Sequence, residues 1–311
     1  MKVLITGAAG QDGTLLRRFL RGRGHEILGI ARRIDSSAEC SEELVRLDIT
    51  DMAAVATTIR EFAPEQVYHL AVCHQSSDQQ STIALDQEML RTNVLALQTI
   101  ASTLVEHLPA CRLLSAGSSR MYSATAADCV VDEQTGMSPS TFYGWTKAWA
   151  RELVAFYRER HGLYGVTAIL FNHESPLRAS TFVSSKITHA AARAKRHGRC
   201  ELHLRDVGAA ADWMSAGDAV EAMVLALSAP DPLDYVVASG TRHTVQDILE
   251  VAFGHVGLDW REFTRSDRST APGQPAVIGD PSRIRKAGWT PRVTFSQLIS
   301  EMTAAALEQT S

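Results

Sequence analysis

Apolar residues in the first 172 positions form short runs that alternate with longer segments of helical periodicity. The runs predict buried strands at residues 2–6, 26–31, 44–47, 66–70, 112–115 and 166–171. Between them, apolar side chains recur at helical spacing and predict helices at residues 14–23, 52–62, 86–107 and 142–161. Strands that alternate with helices join in parallel through right-handed crossovers. We therefore expect an α/β fold with a Rossmann-type, doubly wound parallel sheet.

The pattern becomes less regular after residue 172. Polar segments at 176–181, 205–212 and 265–281 separate shorter elements, with helices predicted at 182–196, 216–227, 244–256 and 295–308 and strands at 201–204 and 235–238. We interpret this part as a smaller α/β C-terminal lobe that holds the substrate at the carboxyl edge of the sheet. The boundary is interleaved: residues 1–172 with 213–240 form the main domain, and residues 173–212 with 241–311 form the lobe.

Composition restricts the class of protein. The 311 residues carry 31 Lys and Arg against 35 Asp and Glu, a net charge of −4, which argues against nucleic-acid binding. The longest apolar runs are too short to span a membrane, and the N-terminal run enters a glycine loop with no cleavage site behind it. The five cysteines form no CxxC pair and no metal-ligand spacing, which is typical of reduced thiols. These features predict a cytoplasmic enzyme without a metal site.

A glycine-rich loop, GAAGQDG, joins the first predicted strand to the first helix. Glycines at this junction permit a tight turn and close approach of the backbone to a pyrophosphate, and the helix N-terminus supplies N–H groups to the phosphates. The loop therefore predicts a dinucleotide site. Its candidate residues are Gly7, Gly10, Gln11, Asp12 and Gly13.

The end of the second strand distinguishes the two nicotinamide cofactors. Arg32 and Arg33 stand there, and the first acid after them is Asp35. One guanidinium group can bind two oxygens of a 2′-phosphate at once, whereas an acid would bind a ribose 2′-hydroxyl. We expect NADP in preference to NAD. Further cofactor contacts are expected at Asp48, Ile49 and Leu70. We assign Asp48 to the adenine.

Tyr143 and Lys147 stand four residues apart at the start of a predicted helix, so both project from one face. A lysine ammonium beside a phenol stabilises the phenolate, which can remove a proton from a substrate hydroxyl while hydride leaves for the cofactor. Ser118 follows the fifth strand at the same carboxyl edge and can hydrogen-bond the same substrate oxygen. Ser118, Tyr143 and Lys147 are the predicted catalytic residues, and the last two are also cofactor contacts.

With the loop and the serine-rich strand end, the Tyr143–Lys147 spacing resembles the extended short-chain dehydrogenase/reductase superfamily across essentially the whole chain. Within it, the sequence is similar to the GDP-mannose 4,6-dehydratase family. The matching stretches are QDG at 11–13, GIARR at 29–33, LFNHESP at 170–176, TFV at 181–183 with KI at 186–187, GDP at 279–281 and GWTP at 288–291. The resemblance implies bound NADP and a GDP-sugar substrate. It also implies oxidation at C4, loss of water across C5–C6 and return of hydride to C6.

The resemblance also assigns roles by position. Ser118 takes the family's catalytic Thr/Ser place, Tyr143 that of the base and Lys147 that of its partner. Asn172, Glu174 and Lys186 fall at substrate-binding positions. The main domain becomes the NADP-binding domain, and the lobe becomes the nucleotide-sugar-binding part. The helices at 86–107 and 142–161 form a dimer interface in this superfamily, so a homodimer is expected.

Two positions depart from the family pattern. Arg120 stands where the dehydratases carry the glutamate that removes the C5 proton, and arginine cannot act as that base. Ala211 stands before Asp212 and Trp213, where the family has a diphosphate-binding arginine. Arg120 is thus a candidate active-site residue. An alternative hypothesis pairs it with an anionic group, either a substrate carboxylate or the diphosphate that Ala211 does not hold.

Three functions follow. Without the glutamate, the enzyme is a C4 epimerase or a 4-keto reductase, because both need only hydride transfer. It remains a dehydratase if another carboxylate acts as base, and Glu174 is the nearest candidate. It is a non-catalytic NADP or nucleotide-sugar binder if the machinery is idle, which the intact Tyr143 and Lys147 disfavour. A last signal, Cys73 followed by His74, receives less weight as an acid–base pair, because neighbouring loop side chains seldom point together.

Overall fold

A computed structural model of the chain describes residues 1–34, 41–74, 82–124, 128–268 and 275–309. The strands are β1 (Lys2–Thr6), β2 (Glu26–Ala31), β3 (Leu44–Arg46), β4 (Gln66–His69), β5 (Arg112–Ala116), β6 (Asp128–Val131), β7 (Tyr164–Leu170), β8 (Asn172–Glu174), β9 (Leu202–Asp206), β10 (Ala210–Ser215), β11 (Tyr235–Val237), β12 (Arg242–Thr244), β13 (Thr264–Arg268) and β14 (Ala276–Gly279). The helices are α1 (Gln11–Arg21), α2 (Met52–Phe62), α3 (Ile83–Leu90), α4 (Ala96–His107), α5 (Phe142–His161), α6 (Val183–His197), α7 (Ala216–Ser228), α8 (Val245–His255), α9 (Ser282–Lys286) and α10 (Phe295–Gln309).

Seven parallel strands form the main sheet in the order β11-β7-β5-β4-β1-β2-β3. Side chains alternate across it, so both faces are apolar. In β1, Val3 and Ile5 pack with α1 and α7 on one face of the sheet, whereas Leu4 packs with α2, α4 and α5 on the other. This confirms the predicted doubly wound α/β fold.

A second core lies among α6, α8 and α10. Ile187, Ile248 and Leu298, one from each helix, are buried there together with Trp213 of β10. Short sheets flank this region: a three-stranded sheet of order β12-β10-β8, and the pairs β13-β9 and β14-β6. Helix α7 packs instead with the main sheet, and β11 extends that sheet beside β7. The chain therefore returns to the main sheet after its first entry into the second core.

The prediction of irregular segments at 205–212 and 265–281 was wrong. These segments contain the end of β9, the start of β10, most of β13 and all of β14. Their strands are short and half exposed: Leu202 and Leu204 are buried while the intervening His203 is exposed. A short polar strand is fixed by a partner that is distant in sequence rather than by its own apolar pattern. For the same reason the sequence missed β6, β8 and β12.

The long helix predicted at 86–107 is divided. Helix α3 ends at Leu90, a π-helical turn occupies Arg91–Leu95, and α4 continues from Ala96. A π turn widens the helix locally and often accompanies functional positions. Within the described ranges, no helix is both long and apolar enough to cross a membrane.

Candidate active site

A cavity of about 540 Å³ opens at the carboxyl edge of the main sheet. We call it the edge cavity. It is lined by residues that follow β4, β5 and β7, by the start of α5, and by the segment from β8 to the start of α6. Of the predicted site residues, it brings together Asp12, Leu70, Ser118, Arg120, Tyr143, Lys147, Asn172 and Glu174. The lining does not include Gly7, Gly10, Gln11, Gly13, Arg32, Arg33, Asp48, Ile49 or Lys186.

Helix α5 begins directly against the turn that carries Ser118 and Arg120. Thr141 caps the helix, its side-chain oxygen accepting a hydrogen bond from the Gly144 N–H at 3.1 Å. A Cβ at Gly144 would overlap the Arg120 carbonyl oxygen and lie 3.1 Å from Cβ of Pro139. The absence of a side chain at Gly144 therefore permits this close approach and sets Tyr143 beside Ser118.

The Tyr143 side chain is half-buried at the cavity, where its phenol interacts with the Ser118 hydroxyl. Burial raises the pKa of Tyr143 to about 12, although the Ser118 hydrogen bond and the charge of Arg120 act in the opposite direction. The Lys147 Nζ donates a 2.7 Å hydrogen bond to the Ala116 carbonyl and lies 5.9 Å from the centre of the Tyr143 ring. Burial lowers the pKa of Lys147 to about 8. These cations favour the phenolate that proton removal from a hydroxyl requires.

The glycine loop lies against the end of β4. Gly7 has a φ of 71°, and a Cβ there would lie 2.7 Å from the Ala71 nitrogen. Helix α1 starts at the end of the loop with no side chain capping its first N–H groups. Uncapped N–H groups at a helix N-terminus suit a phosphate. This geometry fits the pyrophosphate of a dinucleotide.

Contacts from the loop reach across to β8. The Asp12 carboxylate lies 2.9 Å from His173 Nε2, and Gln11 Nε2 donates to the His173 carbonyl at 3.1 Å. The Ser175 hydroxyl donates to Gln11 Oε1 at 2.9 Å. Burial opposes ionisation of Asp12, but the charge and hydrogen bond of His173 outweigh it and lower the pKa of Asp12 to about 2. Asp12, a predicted cofactor contact, thus forms an ion pair with His173, to which the sequence had given no role.

Glu174 is buried beside the cavity and held by two partners. The Ser184 hydroxyl donates to Glu174 Oε2 at 2.6 Å, and Arg178 Nε lies 3.1 Å from the same oxygen. The Arg178 guanidinium also stacks 3.5 Å from the centre of the Phe182 ring. Burial raises the pKa of Glu174. Asp12 and Glu174 are the two carboxylates of the cavity lining, and each is already paired.

Arg120 extends an exposed side chain into the edge cavity. Its backbone N–H donates to the Ser118 hydroxyl oxygen at 3.2 Å. Its guanidinium has no ion-pair or hydrogen-bond partner among the residues that the structure describes. Its charge helps to lower the pKa of His74 and opposes the rise at Tyr143. A permanent cation therefore lies near the reactive phenol, and no acid in the described ranges neutralises it.

His74 is a lining residue that the sequence analysis underweighted. Its ring meets Tyr143 edge-on with centroids 4.8 Å apart, and burial is the chief cause of the lowering of its pKa to about 4. Cys73 is not part of the lining, so the two side chains do not act together at the cavity. The Asn93 amide exchanges hydrogen bonds of 2.8 and 3.0 Å with the Cys73 backbone and donates to Thr146 at 3.0 Å. Asn93, in the π-helical turn, thereby fixes the loop of His74 to α5.

Arg32 and Arg33, predicted to distinguish NADP from NAD, follow β2, and the predicted cofactor contacts Asp48 and Ile49 follow β3. Arg32 and Arg33 are exposed, and Arg32 forms a surface ion pair of 3.2 Å with Glu88. The Asp48 carboxylate accepts from the N–H and hydroxyl of Thr50 at 2.9 and 2.8 Å, and these hydrogen bonds lower its pKa. Ile49 is buried. Asn172 begins β8 at the cavity, whereas Lys186 lies further along, on α6.

The sequence comparisons with known proteins agree on one family, and solved structures show the fold. A family model described as GDP-mannose 4,6 dehydratase matches residues 4–302. The GDP-mannose 4,6 dehydratase 2 of Arabidopsis thaliana is 34% identical over 98% of this chain and 86% of its own length. Two solved structures share the fold. UDP-glucose 4-epimerase of Thermus thermophilus with NAD has a TM-score of 0.81 at 22% identity, covering 98% of this chain and 99% of its own. RMD of Pseudomonas aeruginosa with NADPH has a TM-score of 0.81 at 21% identity, covering 99% of both chains.

Proposed function

The chain belongs to the GDP-mannose 4,6 dehydratase family, and on that premise we propose that it oxidises C4 of a nucleotide hexose with NADP and returns the hydride without removing water. It is a sugar-nucleotide enzyme of the dehydratase and epimerase class. The observation that carries the proposal is the pairing of both cavity carboxylates. With Asp12 bound to His173 and Glu174 to Arg178, the described residues of the cavity lining offer no free carboxylate to remove a C5 proton, while Tyr143 and its partners remain.

The catalytic residues act on the C4 hydroxyl. Tyr143 accepts its proton, and Ser118 hydrogen-bonds the same oxygen and the phenol. Lys147 and Arg120 stabilise the phenolate by their charge. NADP, when bound, accepts the C4 hydride and later returns it. Return of the hydride to the opposite face of the same ketone would give a C4 epimer. A 4-keto reductase would instead start from NADPH and reduce an incoming ketone.

The preference for NADP rests on Arg32 and Arg33. Both guanidinium groups are exposed after β2, beside the strand that leads into the glycine loop. The exposed pair between Arg32 and Glu88 is weak and can yield to a 2′-phosphate, which offers a doubly charged partner. Solved proteins of this fold hold NAD or NADPH, which supports the nicotinamide class but not the choice within it.

The nucleotide sugar is expected to bridge the edge cavity and the second core. We retain the predicted division, with residues 173–212 and 241–311 as the sugar-nucleotide lobe. Asn172 and Glu174 lie at the cavity, and Lys186 follows on α6. We assign Glu174 an indirect role, because its carboxylate holds Arg178. The GDP-sugar preference follows from the family.

A homodimer through α4 and α5 completes the proposal. Trp145, Trp149 and Phe156 on α5 are 46%, 41% and 52% exposed, and Leu95 beside α4 is 43% exposed. Large apolar side chains clustered on a helical surface are typical of a protein interface.

Dehydration is the second candidate, and one observation favours it: Glu174 lines the cavity with a raised pKa, as a catalytic base would. It would first have to leave Arg178 and Ser184. Incubation with GDP-mannose and NADP in D2O, followed by proton NMR, separates the two functions. An inverted C4 signal with an intact C6 hydroxymethyl supports our proposal, and a new C6 methyl signal refutes it.

A test of the catalytic assignment separates an enzyme from a non-catalytic binder. Tyr143→Phe removes the proton acceptor and keeps the ring, so we expect turnover to fall by about a hundredfold or more while NADP binding is retained. Turnover equal to that of the unmodified protein would overturn the role of Tyr143.

A further inference from the structure

We propose, resting on the function proposed above, that the natural substrate carries a carboxylate on the carbon next to C4, as in a nucleotide-linked hexuronate, and that Arg120 binds this carboxylate. The proposal identifies the substrate class of the edge cavity. It gives Arg120 a direct contact with substrate.

The charges of the cavity point to a missing anion. Asp12 is neutralised by His173, and Glu174 by Arg178. Arg120 has no acidic partner in the described part of the chain, although its side chain enters the same cavity. A guanidinium fork matches the two oxygens of a carboxylate and gains more from it than from a neutral hydroxyl.

The position of Arg120 identifies which part of the substrate it can reach. Its turn also carries Ser118, and its charge is felt at Tyr143 and His74, so it lies at the reacting end of the cavity. If Tyr143 takes the proton of the C4 hydroxyl, the groups near Arg120 are those on C3 and C5. The diphosphate is attached at C1, across the pyranose ring from C4. A C6 carboxylate, attached to C5, therefore fits better than the diphosphate.

The chemistry of the proposed step remains balanced with this substrate. The C4–H bond breaks with its electron pair going to NADP, the hydroxyl proton goes to Tyr143, and a C4 ketone forms. Return of the hydride and proton restores an alcohol. Arg120 neither gives nor takes a proton or an electron, because it remains protonated throughout.

The test compares matched pairs of substrates that differ only at C6: GDP-mannose with GDP-mannuronate, and UDP-glucose with UDP-glucuronate. In the pair with the nucleotide that the enzyme prefers, we expect the kcat/KM of the unmodified enzyme to be at least about tenfold higher for the uronate than for the hexose. Arg120→Gln should lower the uronate-to-hexose ratio of kcat/KM by about ten- to a hundredfold, the range expected for a charged hydrogen-bonded contact. Arg120→Lys keeps the charge but not the two-pronged guanidinium group. Its uronate-to-hexose ratio of kcat/KM should lie between those of the unmodified enzyme and Arg120→Gln. Arg60→Gln, an exposed arginine on α2, is the matched control and should leave the ratio unchanged.

Binding measurements separate the possible failures. Calorimetry of Tyr143→Phe with each sugar, and with GDP and UDP alone, reports affinity without turnover. If Arg120→Gln in that background weakens GDP or UDP as strongly as the uronate, Arg120 holds the diphosphate and the proposal is wrong. If hexoses are oxidised at C4 and uronates are neither bound nor turned over, the proposal fails while the proposed function stands. If neither class is oxidised at C4 although NADP binds, the proposed function itself fails.

Discussion

The contact between α5 and the Ser118–Arg120 turn can be tested by one methyl group. In Gly144→Ala, the new Cβ would overlap the Arg120 carbonyl oxygen and press on Pro139. The two segments must separate by about 1 Å to restore van der Waals distance. Because Tyr143 precedes Gly144 and Ser118 lies on the opposing turn, that separation acts on their hydrogen bond. Overpacking of this kind costs about 1–3 kcal/mol of unfolding free energy.

The activity should fall further than the stability. A misplacement of about 1 Å between catalytic groups can cost about a hundredfold in rate. We therefore expect kcat of Gly144→Ala to drop by about a hundredfold, with the Kd for NADP changed by less than about threefold, because the glycine loop is distant from the new methyl. The assays are steady-state kinetics, fluorescence titration with NADP, and urea unfolding monitored by circular dichroism.

A matched control exists on α8. Gly254 is also helical, and a Cβ there would meet no atom within 4 Å. Gly254→Ala should leave kcat unchanged and raise the free energy of unfolding by about 0.4–1 kcal/mol, because alanine restricts the unfolded chain. The reasoning is refuted if Gly144→Ala retains kcat within about threefold, or if Gly254→Ala loses as much activity.

Three further predictions concern the cofactor, the ion pair between Asp12 and His173, and the dimer interface. Replacing Arg32 and Arg33 together by alanine should reduce the preference for NADP over NAD, measured as the ratio of Kd values, by at least about tenfold. The depressed pKa of Asp12 stabilises the fold above about pH 4, and this stabilisation, about 2 kcal/mol, is lost as pH falls from 4 towards 2. His173→Gln should therefore lower the unfolding free energy at pH 5, and by progressively less below pH 4, in urea titrations. Trp149→Glu should shift the sedimentation coefficient from dimer to monomer, since it places a charge in the apolar surface.

Each of these has a control and a contrary outcome. Arg60→Gln should leave the cofactor preference unchanged. If the preference for NADP survives the loss of both Arg32 and Arg33, the 2′-phosphate binds elsewhere. In a double-mutant cycle, adding Asp12→Asn to His173→Gln should cost little more, because the pair is already broken. Leu233→Glu, at an exposed apolar residue that belongs to neither α4 nor α5, should not affect sedimentation. A monomeric unmodified protein would contradict the dimer outright.

The sequence predicted the parts of the site that follow strands of the main sheet. Tyr143 and Lys147 were recognisable because helical spacing places them on one face, and Ser118 because it follows a buried strand. The identity of their partners was not recognisable. Asn93 lies in a helix that the sequence gave no reason to interrupt, and its role depends on a backbone loop 20 residues away. The position of His74 at the cavity was likewise not predictable, because the packing of its loop decides where its side chain points.

The carboxylates explain why the sequence left the reaction open. Asp12 and Glu174 both line the cavity. From sequence, Asp12 was a predicted cofactor contact, and Glu174 was a candidate base or substrate contact. Their partners decide: Asp12 ties the cofactor loop to β8, and Glu174 holds Arg178 against Phe182. Both acids are thus used to join segments that the chain brings together from far apart. Because these structural pairs neutralise both carboxylates among the described lining residues, a substrate anion is the best partner left for the charge of Arg120.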